Sequence, residues 1–144
     1  MIMVLFGPPG CGKGTQAGII AKDIEIPHLS TGDMLRDAVK SKTETGLKAA
    51  SIMEEGKLVS DEIVINIIKD RICNSDCKNG FILDGFPRTV SQAKELDIML
   101  TTENMKVDLV VDFSVNDEAL ISRIEGRFSC GDCGEGYNDH TKLP

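Results

Sequence analysis

The chain has 144 residues, the size of a single domain, and with 41% apolar and 27% charged residues it can bury a core without disulfide scaffolding. Aromatics at 4% with no Trp speak against a base-stacking platform. A net charge of −7 (16 Lys and Arg against 23 Asp and Glu) excludes a sequence-independent polyanion binder, though a small phosphate ligand can bind where positive charges converge.

Ile2 to Phe6 is apolar, lacks a basic start and stops at Gly7-Pro8-Pro9, so it reads as a strand and not as a signal peptide. A Gly-rich turn leads into a helix over about Gly14 to Lys22. Pro27 to Leu29 is a weak second strand. Ser30-Thr31-Gly32-Asp33 has the form of a capping box, and Met34, Leu35, Ala38 and Val39 follow on one helical face. A further helix spans about Glu44 to Glu55 and stops at Gly56. Ser60 with Asp61 and Glu62 is a helix start: a cap, then acids at the positive dipole end. Ile63, Val64, Ile67, Ile68 and Ile72 give that helix its apolar face.

Phe81 to Leu83 reads as a buried strand ending in Asp84-Gly85, and a helix follows over about Ser91 to Leu100. Val107 to Phe113 is the fourth strand. A last amphipathic helix, about Asp117 to Gly126, carries Leu120, Ile121 and Ile124. After Phe128 helical periodicity is lost. Alternating strands and helices predict an α/β chain with a parallel sheet. No apolar run approaches the ~18–20 residues of a membrane span. Five cysteines, an odd number without a secretory signal, point to a reducing compartment.

Gly7-Pro8-Pro9-Gly10-Cys11-Gly12-Lys13-Gly14-Thr15 lies between the first strand and first helix, the setting of a phosphate-binding loop. Its glycines let several N–H groups face one anion, and the helix start adds about half a positive charge. Lys13 supplies a mobile cation for the β/γ-phosphates. Gly14 follows the lysine where Ser or Thr is usual, so Thr15 acts from one position further on. The bland alternative, a glycine-rich turn with an exposed lysine, explains neither the spacing nor the position.

Four further features follow in order: Leu29-Ser-Thr-Gly-Asp-Met-Leu-Arg36, Glu55-Gly-Lys-Leu-Val59, Asp84-Gly-Phe-Pro-Arg-Thr89, and Gln92. With the phosphate loop extended to Gln16, they resemble the adenylate kinases, nucleoside monophosphate kinases, over the whole 144 residues. The resemblance implies a P-loop NTPase-like three-layer fold with strand order 2-3-1-4-5. It implies a core at 1–29 and 60–125, an AMP-binding insert at 30–59 and the start of a lid at 126–144. The implied reaction is reversible, Mg²⁺-dependent transfer between ATP and AMP to give two ADP, serving adenine nucleotide homeostasis.

The resemblance assigns roles by position. Pro9, Gly10, Cys11, Gly12, Lys13, Gly14 and Thr15 hold the ATP phosphates. Arg88 bridges the AMP phosphate and the transferred group. Arg123 and Arg127, four apart, are expected on one helix face toward ATP. Lys13, Arg88 and Arg123 are the expected catalytic groups, since guanidinium forks suit phosphate oxygens. Gly136 and Tyr137 pack near ATP, and Asp84 holds Mg²⁺ through water. Thr31, Arg36, Lys57, Leu58, Val59, Gly85, Phe86, Pro87, Arg88 and Gln92 form the AMP side. Gln92 reads the adenine edge, because an amide offers donors and an acceptor. Thr31 and Thr89 stand where pyrimidine-nucleotide kinases carry Ala and Asn, which favours AMP. Taken singly, a helical arginine such as Arg36 is a solvated charge; the motifs give it a role.

Cys130 and Cys133 have the half-site spacing of a zinc knuckle, with His140 as a weak third ligand; two reduced surface thiols are the plainer reading. Cys11 is a candidate for alkylation, and Cys73 and Cys77 read as structural. The family's chains continue through a completed lid, a fifth strand and a last helix. On that expectation the Val107–Phe113 strand keeps an open edge, and the 144-residue chain is poorly stable and weakly active. A soluble, cytoplasmic monomer is expected, without nucleic-acid or membrane partners. Two rival readings stand beside it: an ATP-binding fragment that transfers nothing, and a zinc-dependent interaction module.

Overall fold

The computed structural model describes every residue except Gly56, Leu58, 133–135, 140–142 and Pro144. Its centre is β1 (Ile2–Phe6), followed by α1 (Lys13–Asp23), β2 (His28–Ser30), α2 (Thr31–Lys40) and α3 (Glu44–Glu54). Next come α4 (Asp61–Ile72), a 3-10 turn at Ser75–Cys77, β3 (Phe81–Asp84) and α5 (Val90–Thr102). The chain then forms β4 (Leu109–Asp112), α6 (Asp117–Glu125), β5 (Arg127–Ser129) and β6 (Gly136–Asn138).

The four long-range strands pair in the order β2-β3-β1-β4, all parallel. Val4 aligns with Leu83 on one side and Val110 on the other. Side chains alternate across the sheet, so β1 serves both faces. Ile2 and Val4 pack with Ile68, Ile72, Leu96 and Leu100 of α4 and α5. Met3 and Leu5 pack with Ala17 and Ile26 on the α1 side. Helices therefore cover both faces of the sheet, the three-layer α/β fold expected.

Local chemistry explains most helix starts. Ser30 accepts from the Asp33 N–H as anticipated, Thr43 caps α3, Thr89 caps α5 and Asn116 caps α6. Ser60 departs from expectation: it occupies the N-cap position of α4, but its side chain makes no capping bond. The fourth strand is shorter than anticipated, Leu109–Asp112, and largely exposed. In α6, Leu120 is buried but Ile121 and Ile124 are exposed, so its expected apolar face is only partly covered. From Arg127 on, the chain holds a short antiparallel hairpin, β5 with β6, which periodicity did not announce. Phe128 and Tyr137 stack across it with ring centroids 5.8 Å apart.

Candidate active site

In a parallel sheet, ligand sites form beyond the carboxyl ends of the strands. Here the carboxyl ends of β1, β2 and β3 open on a cleft of about 1230 Å³. Its floor is the phosphate loop: Pro9, Gly10, Gly12, Lys13, Gly14 and Thr15 all line it. Gly12 adopts φ +96° immediately before α1, a conformation that L side chains rarely take. That turn presents the amino end of α1 to the cleft, the end favoured by anions. Lys13 donates to the Gly7 carbonyl at 2.7 Å and the Pro8 carbonyl at 3.2 Å, folding its charge over its own loop. Cys11 is buried and does not line the cleft; its Sγ lies 3.8 Å from Lys13 Nζ.

Asp84, Gly85, Pro87 and Arg88 form the wall that follows β3. Gly85 has φ +85°, and a Cβ there would stand 2.7 Å from Thr31 Oγ1, so the turn requires glycine. Thr31 is buried and donates to the carbonyl of Gly85 at 3.2 Å. Arg88 Nε donates to that same carbonyl at 2.7 Å, which aims an exposed guanidinium at the cleft. His28 Nε2 lies 3.2 Å from Asp84 Oδ2. This partner of Asp84 carried no mark in the sequence, because it depends on β2 lying beside β3.

Arg36 lines the cleft from α2 and is ion-paired with Asp33. It also borders a smaller cavity of about 260 Å³ between α2 and α3, with Val39 and Met53. Arg123 and Arg127 both line the opposite wall, with Gly136 and Tyr137. They do not share a helix face, however: α6 ends at Glu125, and Arg127 belongs to β5. Asn138 Nδ2 donates to the Arg123 carbonyl at 2.9 Å and so ties the hairpin to the end of α6.

Several expected residues stand apart from the cleft. Phe86 is buried in the core, and Lys57 is exposed in an ion pair with Glu55. Val59 is half-buried outside the cleft lining, and Leu58 lies outside the described residues. Gln92 is buried: its Oε1 accepts from the Arg88 N–H at 2.7 Å, and its Nε2 donates to Asp61 Oδ1 at 2.6 Å.

Mg²⁺ takes oxygen ligands and is commonly held by one or two carboxylates plus substrate phosphates. Asp84 and Thr15 offer a carboxylate and a hydroxyl in one cleft. Asp84 Oδ2 lies 3.6 Å from the site of a Cβ on Gly14, so it stands over the amino end of α1. This donor set fits the ion. Of the expected zinc ligands, Cys133 and His140 lie outside the described residues. Among the described residues no three His, Cys, Asp or Glu side chains converge on a metal site. Among them, too, no helix is long and apolar enough to cross a membrane.

The family model for adenylate kinase matches residues 5–142. A curated adenylate kinase of Magnetococcus marinus is 56% identical over 142 residues, covering 99% of this chain and 67% of the relative. One from Rhizobium etli is 53% identical over 144 residues, covering 100% and 67%. One from Caldicellulosiruptor bescii is 51% identical over 138 residues, covering 96% and 64%. The chain thus spans about two thirds of the length of these relatives. It belongs to the adenylate kinase family, phosphotransferases of the nucleoside monophosphate kinase class.

Proposed function

We propose that the cleft carries ATP on the phosphate-loop side and AMP on the α2–β3 side, and that the γ-phosphoryl group moves between them. The observation that supports this best is the convergence of Lys13, Arg36, Arg88, Arg123 and Arg127 on one cleft in a chain of net charge −7. Phosphoryl transfer asks for positioning and charge stabilisation more than for covalent help.

Lys13 exchanges its Gly7 and Pro8 carbonyls for phosphate oxygens, alongside the amides at the start of α1. Arg123 and Arg127 close on the donor phosphates from the far wall. Arg88, held by the Gly85 carbonyl, stands between donor and acceptor, and Arg36 grips the acceptor phosphate. Asp84 and Thr15 would hold Mg²⁺, which when bound neutralises phosphate charge. In this reading residues 30–59 act as the acceptor insert, 126–144 as the start of a lid, and 1–29 with 60–125 as the core. Lys57, Leu58, Val59 and Gln92 join the acceptor side in the nucleotide-bound state. We place the enzyme in the cytoplasm as a soluble monomer.

ADP formation from Mg·ATP with AMP, CMP, UMP and GMP in parallel tests the assignment. Turnover with AMP alone supports it, and turnover with CMP or UMP would move the acceptor class. ATP binding with no ADP formed would favour the rival reading of a nucleotide-binding fragment. Lys13→Met should abolish transfer while leaving the melting transition in place. A zinc half-site at Cys130 and Cys133 is a separate proposal supported by spacing alone. Elemental analysis of wild type against Cys130→Ser checks it, and wild type without zinc would end it.

A further inference from the structure

Gln92 lies where two elements meet, and its carboxamide is constrained from both ends. The Arg88 N–H requires the oxygen end at 2.7 Å, and Asp61 Oδ1 requires the nitrogen end at 2.6 Å. Thr89 Oγ1 donates to the other Asp61 oxygen at 3.3 Å and accepts from the Gln92 N–H at 3.1 Å. Asp61, the first residue of α4 and half-buried, therefore links α4 to the beginning of α5 and the Arg88 backbone. These bonds use one of the two N–H groups and one of the two oxygen lone pairs of the amide. One donor and one acceptor remain, the complement of the adenine edge, where N1 accepts and the N6 amino group donates.

An amide turned over by 180° presents the same two functions in exchanged places. Hypoxanthine, with N1–H donating and O6 accepting, is the base that this reversed amide would suit. The element that fixes the amide's direction therefore also sets which of the two bases fits. We infer that Asp61 is a specificity-positioning residue of the acceptor site: with the Arg88 N–H at the other end, it holds the Gln92 carboxamide in the orientation that admits adenine and rejects hypoxanthine. The inference rests on the reading of Gln92 as the base contact.

Titration calorimetry with AMP and with IMP on the 144-residue chain tests both. Asp61→Leu removes the acceptor at one end while the Arg88 N–H remains at the other, and should weaken AMP about 10-fold or more, with IMP much less affected, so that discrimination narrows. Asp61→Asn keeps an acceptor for Nε2 and should restore the AMP preference. Equal weakening of AMP and IMP by Asp61→Leu would reduce Asp61 to a scaffold and overturn the inference. Gln92→Leu separates the two readings. If it leaves AMP affinity unchanged, the base contact itself is wrong. If it weakens AMP while Asp61→Leu preserves the ratio, only the positioning role fails.

A second measurement needs no variant that could unfold. In the wild-type chain the Gln92 Nε2 proton on Asp61 should exchange slowly with solvent and stay protected when AMP is added. Loss of its protection on AMP binding would mean that the bond to Asp61 is surrendered to the base, and would overturn the inference.

Discussion

The two neighbours of β1 carry opposite halves of the cleft on unequal foundations. On one side, β3 is fully buried up to its cleft end: Phe81, Ile82 and Leu83 are all 0% exposed. It delivers Asp84, Gly85 and Arg88. On the other side, β4 leaves Leu109 and Val110 about half exposed, at 45% and 55%. Beyond it, α6 and the β5–β6 hairpin deliver Arg123 and Arg127. A buried wall thus holds Arg88, while Arg123 and Arg127 stand on elements with little packing beneath them. Groups that must be preorganised gain most from the buried wall.

Arginine substitutions should sharpen this contrast most. Arg88→Ala is expected to lower ADP formation ~10³-fold or more, the scale of an arginine that stabilises a phosphoryl-transfer transition state. Arg123→Ala should cost less, because Arg127 lines the same wall. Equal losses in steady-state assays would erase the proposed asymmetry.

Next in size are the strands themselves. Phe81→Ala should destabilise the chain by about 3–5 kcal/mol, whereas Val110→Ala should stay within about 0.5 kcal/mol. Denaturant unfolding compares them, and a large effect at Val110 would show that β4 is covered in solution.

Thiol chemistry probes the same buried wall. Cys77 packs under β3 with Arg71 Nη1 3.1 Å from its sulfur, and burial pushes its thiol up to about 11. Its neutral form is favoured in the fold, so this contribution is present below about pH 9 and fades as the pH climbs toward 11. Iodoacetamide should label exposed Cys73 well before Cys77, as peptide mass spectrometry would report.

The smallest effect belongs to Asp76. Its bidentate bonds with Arg71, at 2.8 and 2.7 Å, hold its carboxyl below the usual carboxylate range. Stability from this pair is present above about pH 4 and is lost as the pH falls through the lowered value. Asp76→Asn should flatten the acid side of the melting-temperature profile slightly.

The buried half was also the legible half. Ile2–Phe6 and Phe81–Leu83 are continuous apolar runs ending in glycine turns, so their sequence alone marks strands that are covered on both faces. The phosphate loop and the arginine motifs were visible because their meaning lies in short spacing. The β5–β6 hairpin was not, since two three-residue strands carry too little pattern. Arg127 was misplaced by spacing alone: helical periodicity put it on α6, but the chain turns at Gly126 into a strand. His28 beside Asp84, and Asp61 on Gln92, were hidden for another reason. They arise where segments distant in sequence meet, and no local window contains both partners.

The central place of β1 has a consequence for how the molecule is made. Both of its partners, β3 and β4, are synthesised later, and Phe81 must reach back to the Met1 carbonyl to begin the first pairing. Through that interval the emerging polypeptide holds out an apolar strand with both edges bare. Such far-reaching pairings are slow to form and aggregation-prone while they wait. Until those later segments arrive, β1 is therefore the part of the sheet most open to wrong pairing.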